Sequence, residues 1–231
     1  MGAFVQILRR TLGREPPRKR KRHLRPDLQV EQFFAELQER KVRYAVLRWF
    51  DELPHVRPGG DIDILIDDGD VDRVADLFVL GECGAVRCDL FSVSGLPGTS
   101  YMGISYFPPD RARELLDRAV EHRRLCRVPA AEDHFLSLAY HAVFQKGLKS
   151  GLPTRYSHLR PEDEPEHDYA GILARLAARI GSNPPIDMEG LADHLTRFGW
   201  APDEAALGKL VQHNAWALAH YRPISPMRER T

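Results

Sequence analysis

Cysteine is scarce in this chain. Only Cys83, Cys88 and Cys126 occur in 231 residues, and no two of them form a C-x-x-C pair. An odd, sparse set argues against a disulfide scaffold and for a reducing compartment, and no histidine stands at zinc-site spacing from a cysteine. Net charge is missing as well: 33 Lys and Arg are balanced by 33 Asp and Glu. No global field therefore draws the protein to nucleic acid or to a membrane surface, and any such attraction is local. No stretch approaches the ~20 consecutive apolar residues needed to span a bilayer. The opening "MGAFVQILRRTLGREPP" lacks the apolar core length of a signal peptide, and Gln6 stands where N-myristoylation of Gly2 favours Ser or Thr. The expected location is cytoplasmic. There is no G-x-S-x-G, no G-x-x-x-x-G-K-[ST] and no G-x-G-x-x-G, so serine-hydrolase, P-loop and dinucleotide-fold readings have no support.

What is present suits a soluble globular protein: 43% hydrophobic and 29% charged residues, with enough length for a sizeable core. The run "REPPRKRKRHLRP" (14–26) is basic and Pro-punctuated. Residues 1–26 are expected to form a flexible tail, either solvated or in weak contact with a polyanion such as anionic lipid or nucleic acid. Structure is expected to begin at 27–42, where Val30, Phe33, Phe34 and Leu37 recur at helical spacing behind a possible Asp27 cap. Strands are expected over 43–50, 61–66 and 85–93, with a loop at 51–60 and a helix at 68–81. From about 109 onward the pattern is helical: 109–122, 130–151, 166–181, 187–199 and 203–221. The fold class is therefore α+β, a small mixed sheet with helices (27–108) followed by a helical C-terminal portion (109–231).

The most informative stretch is "RPGGDIDILIDDGD" (57–70). Asp61 and Asp63 are i and i+2 on a strand, so both side chains leave on one face while Ile62 points to the other. Two carboxylates so placed suit one or two divalent cations, Mg²⁺ or Mn²⁺, which prefer oxygen ligands. Asp89, in "VRCDLFSV", lies among apolar neighbours on the next strand. Burial of a lone carboxylate there is costly unless a cation offsets it. If the two strands are adjacent, three carboxylates converge, as metal-assisted phosphoryl transfer requires. The alternative is that Asp61 merely decorates a strand end. Asp67, Asp68 and Asp70 read as capping acids without a chemical role.

The segment "YAVLRWFDELPHVRPGGDIDILI" (44–66) resembles the nucleotidyltransferase superfamily, which shares its fold with DNA polymerase β. More narrowly, it resembles uncharacterised bacterial members with a "gDIDLLV"-type strand. Gly60, Asp61 and Asp63 match that strand and Asp89 matches the third acid; the resemblance covers roughly residues 28–150. It implies a nucleotidyltransferase-like core in which Asp61, Asp63 and Asp89 bind magnesium and a nucleoside triphosphate. A nucleotidyl group would then pass to an acceptor hydroxyl on a protein, an RNA end, a sugar or a small molecule. One departure stands out: Arg48-Trp49 occupies the place where the superfamily usually carries Gly-Ser. Arg48 and Arg57 can neutralise phosphate, but Trp49 removes the close backbone approach that glycine permits. A catalytically inactive module on the same fold, binding a nucleotide or protein partner, is the competing expectation.

On the helix expected over 130–151, His134, His141 and Gln145 share a stripe. A helix following the acid strands could aim His141 into the same cleft, although buried or solvated histidines explain the pattern equally. Lys146 could meet a substrate phosphate or simply complement the helix dipole. The loop "SGLPGTSYMG" (94–103) either lines the pocket or only connects.

Overall fold

The computed structural model describes residues 21–81 and 86–221. Its centre is a five-stranded mixed sheet in the order β2-β3-β5-β1-β4. The strands are β1 (Arg22–Leu24), β2 (Tyr44–Val46), β3 (Asp61–Ile66), β4 (Phe78–Leu80) and β5 (Arg87–Ser92). Strands β3 and β5 run parallel over six residue pairs, and β2 and β1 flank them antiparallel. The architecture is thus α+β with a small mixed sheet, as the sequence implies.

Alternation along β3 sorts the core into two layers. Ile62, Ile64 and Ile66, with Cys88 and Leu90 of β5, face one side. There they meet Val30, Phe33, Phe34 and Leu37 of helix α1 (Val30–Glu39). Leu65 and Phe91 face the other side and join the core of the C-terminal helices. Asp61, Asp63 and Asp89 share that second face. The helical half packs on its Leu65–Phe91 end and leaves the aspartate end open, which is why a cleft forms there.

The helical half contains α2 (Pro109–Arg118), α3 (Ala131–Tyr140), α4 (Tyr169–Arg179), α5 (Met188–Arg197), α6 (Glu204–Leu210) and α7 (Ala215–Tyr221). Asp168, Asp187 and Asp203 cap α4, α5 and α6, each carboxylate accepting from a backbone N–H three residues on. Among the described residues no helix is long and apolar enough to cross a membrane.

Several sequence expectations need correction. Arg22–Leu24, assigned to the tail, is a strand: it pairs with β4 and β5 and buries Leu24 completely. Residues 14–20 of the basic run lie outside the described residues. The 43–50 strand stops at Val46, after which Trp49 takes a left-handed conformation at φ 56°. Asp27 does not cap α1; it pairs with Arg25, while the Gln29 N–H donates to the Gln32 Oε1.

The helix expected at 68–81 is instead two 3₁₀ turns followed by β4. Its buried residues Val74 and Leu77 are three apart, a spacing that fits three residues per turn. The expected 109–122 helix ends at Arg118, and Val120–His122 forms a hairpin with Cys126–Val128, strands β6 and β7. The 130–151 helix changes character after Tyr140, widening into π-helical turns over His141–Lys146 and then tightening over Gly147–Ser150.

Candidate metal centre

Register builds the centre. Asp61 lies opposite Arg87 and Asp63 opposite Asp89 in the parallel β3–β5 pair. Two acids, a third acid and an arginine therefore form a square on one face of two adjacent strands. One carboxylate oxygen from each of Asp61, Asp63 and Asp89 lies within 4.8 Å of the others. The square opens into a cleft of about 1770 Å³ whose walls include Arg48, Trp49, Arg57, Gly60, Lys146 and His167.

Two guanidinium groups face these three carboxylates. Arg48 Nη2 is 2.8 Å from Asp63 Oδ2, with both side chains nearly closed to solvent. Arg87 spans the other two, Nη1 at 3.3 Å from Asp61 Oδ2 and Nη2 at 2.5 Å from Asp89 Oδ2. The positive charge is insufficient. Burial pushes the Asp63 carboxyl up to about 6 although Arg48 opposes it. Burial also raises Asp61, and the neighbouring Asp89 carboxylate adds to this against the pull of Arg87. The three clustered carboxylates form a group of hard oxygen donors that could hold a divalent cation.

Arg48 has been drawn inside. Burial opposes its charge, but Asp63 and Tyr106 beside it more than restore it and hold the guanidinium protonated. Its Nη1 donates to the Tyr106 hydroxyl at 2.7 Å. That hydroxyl is 2.9 Å from His141 Nδ1, which also lies 2.8 Å from Gln145 Oε1. The Gln145 amide is oriented by its N–H, which donates to the Tyr106 carbonyl at 2.8 Å. Its oxygen therefore faces His141, so Nδ1 carries the ring proton and Nε2 accepts from the Tyr169 hydroxyl at 3.3 Å. Burial, with Arg48 adding to it, holds the imidazole well below its usual range and therefore neutral.

Arg48, His141, Arg57 and Lys146, all expected to bind substrate, line the cleft. Arg48 and His141 are buried in its floor and already engage protein partners, Arg48 pairing with Asp63 and His141 lying 2.8 Å from Gln145. Arg57 is exposed and paired with Glu52 at 2.5 Å, and Lys146 is paired with Glu166 at 3.1 Å. Gly60 lies at the cleft margin, its N–H donating to the Arg57 carbonyl at 2.9 Å. A Cβ at Gly60 would approach that carbonyl oxygen to 3.1 Å.

Trp49 occupies its turn with the ring stacked on His167 at 3.9 Å between centroids. Asp67 caps its own turn, accepting from the Gly69 N–H, whereas Asp68 and Asp70 tie distant backbone, accepting from the N–H groups of Ser94 and Arg43.

Sequence reasoning missed Arg87, Tyr106, Glu166, His167 and Tyr169. Arg87 was legible, since it stands two residues before Asp89 and alternation puts both on one face. The other four come from segments that only the tertiary fold brings to the cleft. Comparison of the chain with models of known families, with curated proteins and with solved structures finds no match.

Proposed function

We propose that this protein is a metal-dependent nucleotidyltransferase that moves a nucleotidyl group from a nucleoside triphosphate to an acceptor hydroxyl. One observation carries the reading: Asp61, Asp63 and Asp89 bring oxygen atoms within 4.8 Å of one another at the floor of a large cleft. The strand motif around Gly60, Asp61 and Asp63 supports the same reading from the sequence.

In this mechanism Asp61, Asp63 and Asp89 would hold Mg²⁺ or Mn²⁺. The bound ion would supply charge neutralisation at the triphosphate. Arg57 and Lys146, at the cleft wall, neutralise the outer phosphates. The acceptor oxygen attacks the α-phosphorus, the bond to the bridging oxygen breaks, and pyrophosphate leaves. Asp89, a third exposed at its side chain, is placed to receive the acceptor proton. Arg48 keeps Asp63 oriented and takes no part in bond making.

A second reading has its own observation. Trp49 fills its turn under His167, and two arginines already answer the acids. A non-catalytic module binding a nucleotide or a protein partner would tolerate both features.

The test is transfer of label from α-phosphate-labelled nucleoside triphosphates to candidate acceptors, with Mg²⁺ or Mn²⁺ present. Incorporation that disappears in Asp61→Asn and Asp63→Asn is expected. Calorimetric binding of nucleotide without incorporation favours a nucleotide-binding module, and absence of both refutes the transferase and the nucleotide-binding module alike.

A further inference from the structure

The geometry points to Arg87 as a built-in counter-cation that makes divalent-metal binding at the Asp61–Asp89 pair depend on a phosphate-bearing anion in the same cleft. The inference rests on the proposed reading of the three aspartates as a metal centre, and concerns how that centre fills.

Arg87 holds the oxygens a metal would need. Its two terminal nitrogens reach Asp61 Oδ2 at 3.3 Å and Asp89 Oδ2 at 2.5 Å, both members of the three-aspartate group. A divalent ion bridging these carboxylates must compete with the guanidinium for the same lone pairs. The two arginines of the site differ in their freedom to yield. Arg48 is 9% exposed at its side chain and also bonded to buried Tyr106. Arg87 is 32% exposed and lines the cleft, so its head has somewhere to go.

Its present seat is also imperfect. The Arg87 Nε is buried and has no hydrogen-bond partner among the described residues. An unmade buried hydrogen bond destabilises the arrangement that contains it. Among the described residues its guanidinium is held by these two carboxylates, and it gives up little else on leaving them.

A metal ion arriving alone would strand the displaced guanidinium without a partner beside another cation. A phosphate group in the cleft changes this, because guanidinium binds phosphate in the same two-pronged geometry as carboxylate. Arg87 then exchanges a carboxylate partner for a phosphate partner, and the carboxylates turn to the metal. Linkage makes the effect mutual, so metal strengthens phosphate binding by the factor by which phosphate strengthens metal binding. The device suppresses metal loading until a phosphate-bearing ligand is present.

The test is calorimetric titration of the full chain with Mn²⁺, with and without millimolar inorganic phosphate, for wild type, Arg87→Met, Arg87→Lys and Asp61→Asn. Wild type should bind Mn²⁺ weakly alone and at least about fivefold more tightly with phosphate. Arg87→Met should bind Mn²⁺ alone about tenfold more tightly than wild type, with the phosphate effect gone, and Arg87→Lys should lie between. Near-ultraviolet circular dichroism identifies any variant that has not folded, and the lysine variant then decides. Tight wild-type Mn²⁺ binding that phosphate leaves unchanged overturns the inference, as does an unchanged affinity in folded Arg87 variants. If Asp61→Asn leaves Mn²⁺ binding intact, the metal centre itself fails; if it abolishes binding while Arg87→Met does not tighten it, only the role of Arg87 falls.

Discussion

Arg48 and Asp63 form an ion pair at 2.8 Å with side chains only 9% and 5% exposed, at the floor of a cleft whose other two acids remain more open. Desolvated pairs contribute modestly as a unit, yet loss of one member strands a buried charge. Arg48→Met should therefore destabilise the protein by about 3 kcal/mol. Adding Asp63→Asn to that variant should recover much of the loss. Urea denaturation of the four proteins measures the coupling; simple additivity of the two single changes would show that the residues act independently.

His141 sits between Tyr106, Gln145 and Tyr169 and uses both ring nitrogens. His141→Phe keeps the ring but orphans the Gln145 oxygen, and should cost about 2–3 kcal/mol. Tyr169→Phe removes only the longer bond to Nε2 and should cost about 1 kcal/mol or less. Thermal unfolding ranks the two, and a larger loss for Tyr169→Phe would contradict the assigned network.

Burial holds His134 down to about 4, with Arg179 acting in the same direction and Asp51 against. Its ring packs on Phe50 at 4.8 Å between centroids. The folded state therefore binds this proton less readily than the unfolded chain, whose histidine titrates near 6.5. Stability from this group is complete above about 6.5 and is lost as pH falls toward 4, by on the order of 3 kcal/mol in all. His134→Phe should flatten that part of the profile between pH 6.5 and 4. Denaturation midpoints across that range in wild type and variant provide the measurement, and parallel profiles would rule the histidine out.

Gly147 adopts φ 57°, and a Cβ there would lie 2.7 Å from Asn214 Oδ1. Asn214 cannot easily move, since its amide donates to the carbonyls of Val143 and Phe144 and its oxygen accepts from the Ala217 N–H. Gly147→Ala should cost about 2 kcal/mol or more, from the strained backbone and the displaced amide together. Gly69→Ala, exposed and with its nearest atom at 3.5 Å, should change stability by less than about 0.5 kcal/mol. Equal effects at the two sites would refute the steric argument.

The central part of the fold was legible because alternation is a local rule. Asp61, Ile62 and Asp63 announce a strand with one polar and one buried face, and Asp89 among apolar neighbours announces its companion. The helices of the second half showed in their apolar spacing, but not their ends: the 166–181 helix begins only at Tyr169, and the expected 203–221 helix is two, α6 and α7, parted by a turn at 211–214. The short strands were not. Arg22–Leu24 and Phe78–Leu80 are three residues each, too short for periodicity to register, and become strands only through pairing, with one another and, for Arg22–Leu24, with β5. The 68–81 segment was misread because Val71, Val74, Leu77 and Phe78 fit a helical stripe, while the ladder with β1 claims Phe78 for the sheet.

The sequence by itself determined that two acids leave one strand together and that a third lies on a strand able to join them. The same alternation puts Arg87 on the side of Asp89, a signal present in the sequence that the reading of it passed over. Only the tertiary structure decided that β3 and β5 are parallel neighbours in the register that closes the square, because strand pairing is a long-range choice. It alone turned Arg48 inward to Asp63 and Tyr106, and brought Glu166 and His167 from a distant connection to the cleft. Those contacts depend on how the helical half packs against Leu65 and Phe91, and no local pattern of residues encodes that docking.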